Sequence, residues 1–234
     1  MHSLAAAVGN KVGKEAEELC ASGQCAAAAV ALKLAVDLGH LPSRALMAHM
    51  LLKGREGIAK DRNGAFELVE EGARLGCHHC QGVMAWCYMY GDGCVRDDAR
   101  SLELARESSG KGSRYGQFML GTLYHCGIGG VAQDYAQALA FYRLAAAQNF
   151  VEAQLSLGVM YYTGDGVARD HAEALRWYQL AAAQGHPMAL YNVATCYEHG
   201  QGVRKNKAAA IRWYKRAQAA GDTDAADQLR RLHA

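Results

Sequence analysis

A period of 36 residues constrains this chain more than any single motif does. Residues 153–185 are followed at 189–221 by a second copy that aligns without a gap. Gly164 maps to Gly200, Gly166 to Gly202, Val167 to Val203, Asp170 to Asn206, and Trp177-Tyr178 to Trp213-Tyr214. A period in this range marks stacked supersecondary units, each of which buries its apolar face on the next. The unit recurs towards the N-terminus in worn form. Residues 116–149 carry Phe141-Tyr142 at the aromatic pair, and 80–112 carry Leu104-Ala105. Residues 44–76 keep only Gly57, Ile58, Asp61, Ala65, Leu68 and Gly76. Two alanine-rich segments in 4–39 read as a degenerate first unit. Ala225 and Leu229 start another unit that stops, so 223–232 reads as one closing helix.

Each unit reads as two antiparallel helices. Ala153, Leu157, Gly158 and Tyr161 form one face of a 3.6-residue helix. Gly164 and Gly166 end it, since glycine takes the positive φ of a helix terminus and tight turn. Asp170 and its equivalents Asp134, Asp97, Asp61 and Asn206 stand at N-cap positions, where a side-chain oxygen accepts orphan N–H groups. Glu173 and Gln137, three residues on, predict capping boxes. The second helix is expected to bury Ala174, Trp177 and Ala181 and to stop at Gly185. Pro42 and Pro187 are the only prolines, and Pro187 falls where it can start a helix. With no strand-like alternation anywhere, the fold class is all-α. The expected organisation is a single domain over 1–234: a degenerate unit at 1–43, repeats at 44–221 and a capping helix at 222–234.

Leu157, Gly158, Tyr161, Gly164, Gly166, Val167, Asp170, Ala174, Trp177, Tyr178, Ala181, Ala182 and Gly185 together resemble the Sel-one-like repeat, the longer-looped relative of the tetratricopeptide repeat. The match is nearly as strong at Tyr197, Gly200, Gly202, Val203, Ala210, Trp213 and Tyr214. It is good over 80–221 and poor over 1–79. The resemblance implies a right-handed α-solenoid, an α/α superhelix of about five to six helix–loop–helix repeats, whose members mostly act as adaptors for other proteins. Function by fold alone remains an analogy. A cysteine-rich branch of the family staples each repeat with cysteines eight residues apart. The corresponding pairs here are Ala146/Gln154 and Ala182/Leu190, so that framework is absent.

By the same analogy, first-helix residues that the core does not claim should line an inner, concave groove. In the earlier units these are Met50 and Lys53, then Trp86, Met89 and Tyr90, then Thr122 and His125, with Met47, Val83 and Met119 beside them. Later units add Val159 and Tyr162, flanked by Leu155 and Ser156, then Tyr191, Asn192, Thr195, Glu198 and His199. Methionine and aromatic side chains are adaptable or amphipathic and suit a peptide-binding surface. Alternatively they pack on one another. Asn192, Thr195, Glu198 and His199 are polar and harder to bury, which makes them the better candidates for peptide contacts.

Charge, cysteine and motif content narrow the function further. The chain carries a net charge of +2, yet residues 201–234 hold eight Lys and Arg against three Asp. One basic end is not the basic, aromatic-interleaved face of a nucleic-acid module, so a solvated face is favoured there. Cys87 and Cys196 occupy the first-helix register of Leu123 and Met160 and read as apolar fillers; Cys94 replaces a loop valine. Scattered cysteines fit a reducing, cytoplasmic setting. The N-terminal stretch lacks a basic n-region and a long apolar run, and no segment reaches membrane-spanning length. Cys77, His78, His79 and Cys80 have zinc-like composition and CxxC spacing, but a structural site needs four converging ligands. Cys80 aligns with the buried Ala153 and Ala189, and Cys77, His78 and His79 read as a turn with exposed histidines. No strand leads into the Gly-x-Gly loops, which removes the dinucleotide reading. The expectation is a non-catalytic adaptor with no cofactor and no metal, which binds a partner peptide or helix. The alternative is a small-molecule or metal-dependent enzyme, β-lactam-binding-like or using the 77–80 turn. A structural subunit packed end to end is weakened by the closing helix.

Overall fold

The computed structural model describes residues 2–21, 24–54 and 58–233. Gly57 of the repeat pattern lies outside them. Thirteen α-helices and no strand occur among the described residues. Two compact units hold them, Met1–Gln133 and Asp134–Ala234.

The first unit contains α1 (His2–Ala21), α2 (Cys25–Asp37), α3 (Leu41–Lys53), α4 (Arg62–Arg74), α5 (His78–Tyr90), α6 (Asp98–Gly110) and α7 (Arg114–Cys126). The second contains α8 (Tyr135–Ala147), α9 (Val151–Thr163), α10 (His171–Ala183), α11 (Pro187–His199), α12 (Lys207–Ala219) and α13 (Asp224–His233). Within each unit every helix packs on its successor, and in the first α3 also meets α5 and α5 meets α7. Packing of each helix on its successor is the pattern of a repeat array, and in the first unit α7 also reaches back, with Arg114 3.5 Å from Glu17 of α1 and the Tyr115 ring 5.6 Å from that of His49 on α3. The helix–loop–helix units are therefore present, and α13 is the closing helix, with Ala225, Leu229 and Leu232 buried.

The local chemistry repeats with the period. Gly164 (φ 89) and Gly200 (φ 77) close α9 and α11 in the left-handed conformation. Asp61, Asp97, Asp134 and Asn206 accept the N–H three residues on at 2.9–3.0 Å, and Asp170 accepts two such groups. Each cap is worth about 1 kcal/mol. At Asp170 and Asn206 the cap's own N–H does not take the reciprocal bond that a capping box requires. It reaches back to the preceding helix instead: Asp170 N to Tyr161 O at 2.9 Å, Asn206 N to Tyr197 O at 2.8 Å. Glu173 is thus left to pair with exposed Arg176. At the register of Gly185, the third repeat carries Asn149 at φ 58, and asparagine is among the few side chains that tolerate this conformation.

The aromatic pair divides differently from the sequence-based expectation. Tyr178 and Tyr214 are buried at 3% and 1% exposure, while Trp177 and Trp213 are only half-buried. Gly158, without a side chain, lets the Tyr178 ring lie close against α9, since a Cβ there would stand 2.4 Å from the ring; Tyr214 is buried as deeply with Ala194 at the matching register. Alanines make up much of the second-unit core, including Ala174, Ala181, Ala189, Ala210 and Ala217, with Leu175, Leu190 and Val193 among them. In the first unit Gly82 and Gly116 let α5 and α7 approach closely, since a Cβ on Gly82 would stand 2.5 Å from Gly116 N.

Candidate partner-binding surface

In the first unit the expected groove residues separate into two sets. Met50, Met89 and Thr122 are buried by their own neighbours, as are Val83 and Met119. Thr122 Oγ1 also donates to Phe118 O at 3.0 Å. The methionine stripe is therefore largely core here, because closely spaced first helices leave no trough for it. Lys53, Trp86 and His125 remain half-buried, and Tyr90 is exposed. Lys53 and Tyr90 gather on Trp86, whose ring stacks on Phe118 (5.6 Å, 19°) and tilts against Tyr90 at 5.0 Å. The Lys53 ammonium stands 4.1 Å from the indole centroid, an arrangement worth about 0.5–1 kcal/mol at such a site. His49 meets the indole edge-on at 6.0 Å.

The second unit leaves more of its stripe open. Val159 and Tyr162 on α9 are half-buried, as are Tyr191, Asn192 and Thr195 on α11, and His199 is exposed. The Tyr162 hydroxyl accepts from Gln201 at 2.9 Å, and the tyrosine ring lies against the His171 ring with centroids 5.0 Å apart. Tyr191 leans edge-on against Tyr214 at 5.3 Å, and its hydroxyl accepts from Gln228 of α13 at 3.3 Å. Glu198 departs from the expectation that this polar group resists burial. It is 6% exposed and accepts from Tyr214 Oη at 2.8 Å and from Arg231 of α13. Burial pushes its carboxyl up, but those two donors outweigh burial and hold it below the usual carboxylate range. Arg230 pairs with Asp227, so part of the basic C-terminal segment is used within its own unit.

Five consecutive copies of the Sel1 repeat match residues 42–77, 78–113, 114–150, 151–186 and 187–222. The chain belongs to the Sel1 repeat family. Human protein sel-1 homolog 2 is 32% identical over 112 residues, 48% of this chain and 16% of that protein. The rat protein of the same name is 33% identical over the same share. The chain thus spans about a sixth of the length of the curated relatives it matches. Among solved structures, a protective antigen of uropathogenic Escherichia coli with an SLR fold is 28% identical, with a TM-score of 0.61 over 87% of this chain and 43% of that one. A Sel1 repeat protein of Oxalobacter formigenes is 23% identical, with a TM-score of 0.63 over 93% and 86%. An immunity protein of Pseudomonas aeruginosa shares the fold at 19% identity, with a TM-score of 0.59 over 93% and 83%.

Sequence reasoning missed Phe118 and His49 as neighbours of Trp86. The signal was available: Phe118 lies one repeat on, less one helical turn, which is where the facing side chain of an adjacent first helix falls. The 77–80 cluster also differs from expectation. Cys77 is the N-cap of α5, His78 to Cys80 form its first turn, and both histidines are half-buried. Among the described residues no three His, Cys, Asp or Glu side chains are grouped to hold a metal ion. No described helix is long and apolar enough to cross a membrane.

Proposed function

We propose that this Sel1 repeat chain is a non-catalytic scaffold that holds an extended or helical segment of another protein on its first-helix stripe. One contrast carries the reading. On α9 and α11 the core register of Leu157, Met160, Val193 and Cys196 is fully buried, while Val159, Tyr162, Tyr191, Asn192 and Thr195 stay half-open on the same helices. Amphipathic side chains left half-open can bury further only against something else. Trp86, Tyr90 and Lys53 offer a similar surface in the first unit, and His125 and His199 add polar contacts. Met50, Met89, Thr122 and Glu198 serve as support beneath these surfaces. A reducing, cytoplasmic setting belongs to the same reading, as the seven described cysteines are unbridged.

The test is affinity capture by the wild type and by the double variant Val159→Glu, Asn192→Arg, followed by titration of a synthetic peptide from the captured protein. Loss of capture and of peptide binding in a variant with an unchanged melting midpoint is expected. Equal recovery of every partner by both proteins would refute the stripe.

A further inference from the structure

Cys77 and Cys80 place two thiols at one helix start. Cys77 is the N-cap of α5, with extended backbone (φ −73, ψ 108), and Cys80 lies three residues on. Side chains at these two positions face each other, which is why capping boxes use them. The Cys80 thiol has two acceptors for its single proton, the Cys77 sulfur and Leu41 O at 3.7 Å. Its sulfur sits where Gly72 leaves room, since a Cβ on that glycine would stand 2.3 Å away. Residues one turn apart on a helix of about 5.4 Å pitch fall within the Cα separation of about 4.4–6.8 Å that a disulfide needs.

We propose that Cys77 and Cys80 form a reversible intramolecular disulfide, made by a hydroperoxide-class oxidant and undone by a dithiol. The Cys77 thiolate attacks one peroxide oxygen; an S–O bond forms, the O–O bond breaks, and the departing hydroxide takes a proton to become water. The Cys80 sulfur, losing its proton, then attacks the Cys77 sulfenic acid. The S–S bond forms, the S–O bond breaks, and hydroxide leaves with that proton as a second water. Two thiols and one hydrogen peroxide thus give one disulfide and two waters, a two-electron oxidation. A reducing dithiol reverses it and leaves as its own disulfide.

The surroundings make Cys77 the attacking sulfur. The hydrogen bond from Cys80 favours its thiolate; despite burial, the N–H groups of Cys80 and His79 and the Arg44 guanidinium add to this and hold its pKa below the usual thiol range. The first-turn N–H groups act without the short cap bond that the aspartates make. Burial instead pushes Cys87 up to about 12 and Cys196 up to about 11. Cys77 is only 6% exposed, an opening that suits a small oxidant better than a folded protein's disulfide. Bridging would withdraw the Cys80 donor from Leu41 and so loosen one tie between α3 and α5.

The experiment treats the reduced full chain with hydrogen peroxide at neutral pH, alkylates it, and sequences the tryptic peptide 75–96, which carries Cys77, Cys80, Cys87 and Cys94. Loss of two hydrogen atoms, placed by fragment ions between Cys77 and Cys80 and restored by dithiothreitol, is the expected result. Cys77→Ser and Cys80→Ser should each abolish it, Cys87→Ser should not, and Cys77 should alkylate about tenfold faster than Cys87. The wild-type fragment ions decide the matter even if a serine variant misfolds. A bridge between other cysteines, no bridge while the protein stays folded, or stoichiometric zinc held by both thiols would each overturn the proposal.

Discussion

Gly202 and His171 meet backbone to backbone: a Cβ on the glycine would stand 2.2 Å from the histidine's carbonyl oxygen. The same contact recurs between Gly93 and Arg62, Gly129 and Asp98, and Gly166 and Tyr135. In each case the second loop glycine of one repeat rests on the opening of the previous repeat's second helix. The Gly-x-Gly of the pattern thus has two separate causes. Its first glycine supplies a backbone conformation, while its second also supplies the absence of a side chain.

Gly202→Ala should therefore be much worse than Gly200→Ala. At Gly202 the left-handed strain and the overlap add to about 2–4 kcal/mol. At Gly200, where the nearest atom would be Lys205 Cβ at 3.3 Å, the left-handed strain alone applies at about 1–2 kcal/mol. Urea unfolding of the two variants checks the order, and equal losses would show that the backbone contact is not what selects the glycine.

Removing a cap should cost about 1 kcal/mol, and Asp170→Ala is the cleanest case because Asp170 accepts from both Ala172 and Glu173 N–H groups. Glu173→Ala should change stability by less than about 0.5 kcal/mol, since its carboxylate meets only exposed Arg176. A loss at Glu173 as large as at Asp170 would restore the reciprocal capping box.

The period made the helices, their ends and the closing α13 legible, because each depends on residue types that recur at fixed spacing. Which member of a conspicuous pair turns inward was not legible. Trp177 and Tyr178 are adjacent and both aromatic, so residue type does not rank them, and the tyrosine's packing against α9 appears only in the fold. Burial along the stripe was equally hidden. Glu198 reads as a surface acid until α13 is folded over it with Arg231, and Met89 and Met119 read as binding residues until the spacing set by Gly82 and Gly116 is known.

That division of the aromatic pair can be measured. Tyr178→Ala should cost about 3–5 kcal/mol, as a buried ring would be lost from the alanine-lined core. Trp177→Phe should be close to neutral or slightly stabilising. Its indole Nε1 is buried without a hydrogen-bond acceptor, a burden of about 1–3 kcal/mol that phenylalanine does not carry, and the third repeat already places Phe141 at this register. Thermal melts of the two variants would refute the assignment if their ranking were reversed.

Glu198 gives the fold a pH dependence of definite sign. Burial raises its carboxyl, and the hydrogen bonds from Arg231 and Tyr214 more than offset this, with His199 3.9 Å away on the same side. A carboxyl depressed in the folded state stabilises it fully above the unfolded pKa of about 4.3. That contribution is lost as pH falls through the lower folded value. Glu198→Gln keeps the shape and removes the charge. The variant should be less stable than wild type at neutral pH, and the gap should close as the solution is acidified from about pH 5 to pH 3. Arg231→Met should produce the same convergence, because it removes the other charge of the pair. Unfolding curves that stay parallel across that range would mean that the tie between α11, α12 and α13 does not depend on the ionised carboxylate.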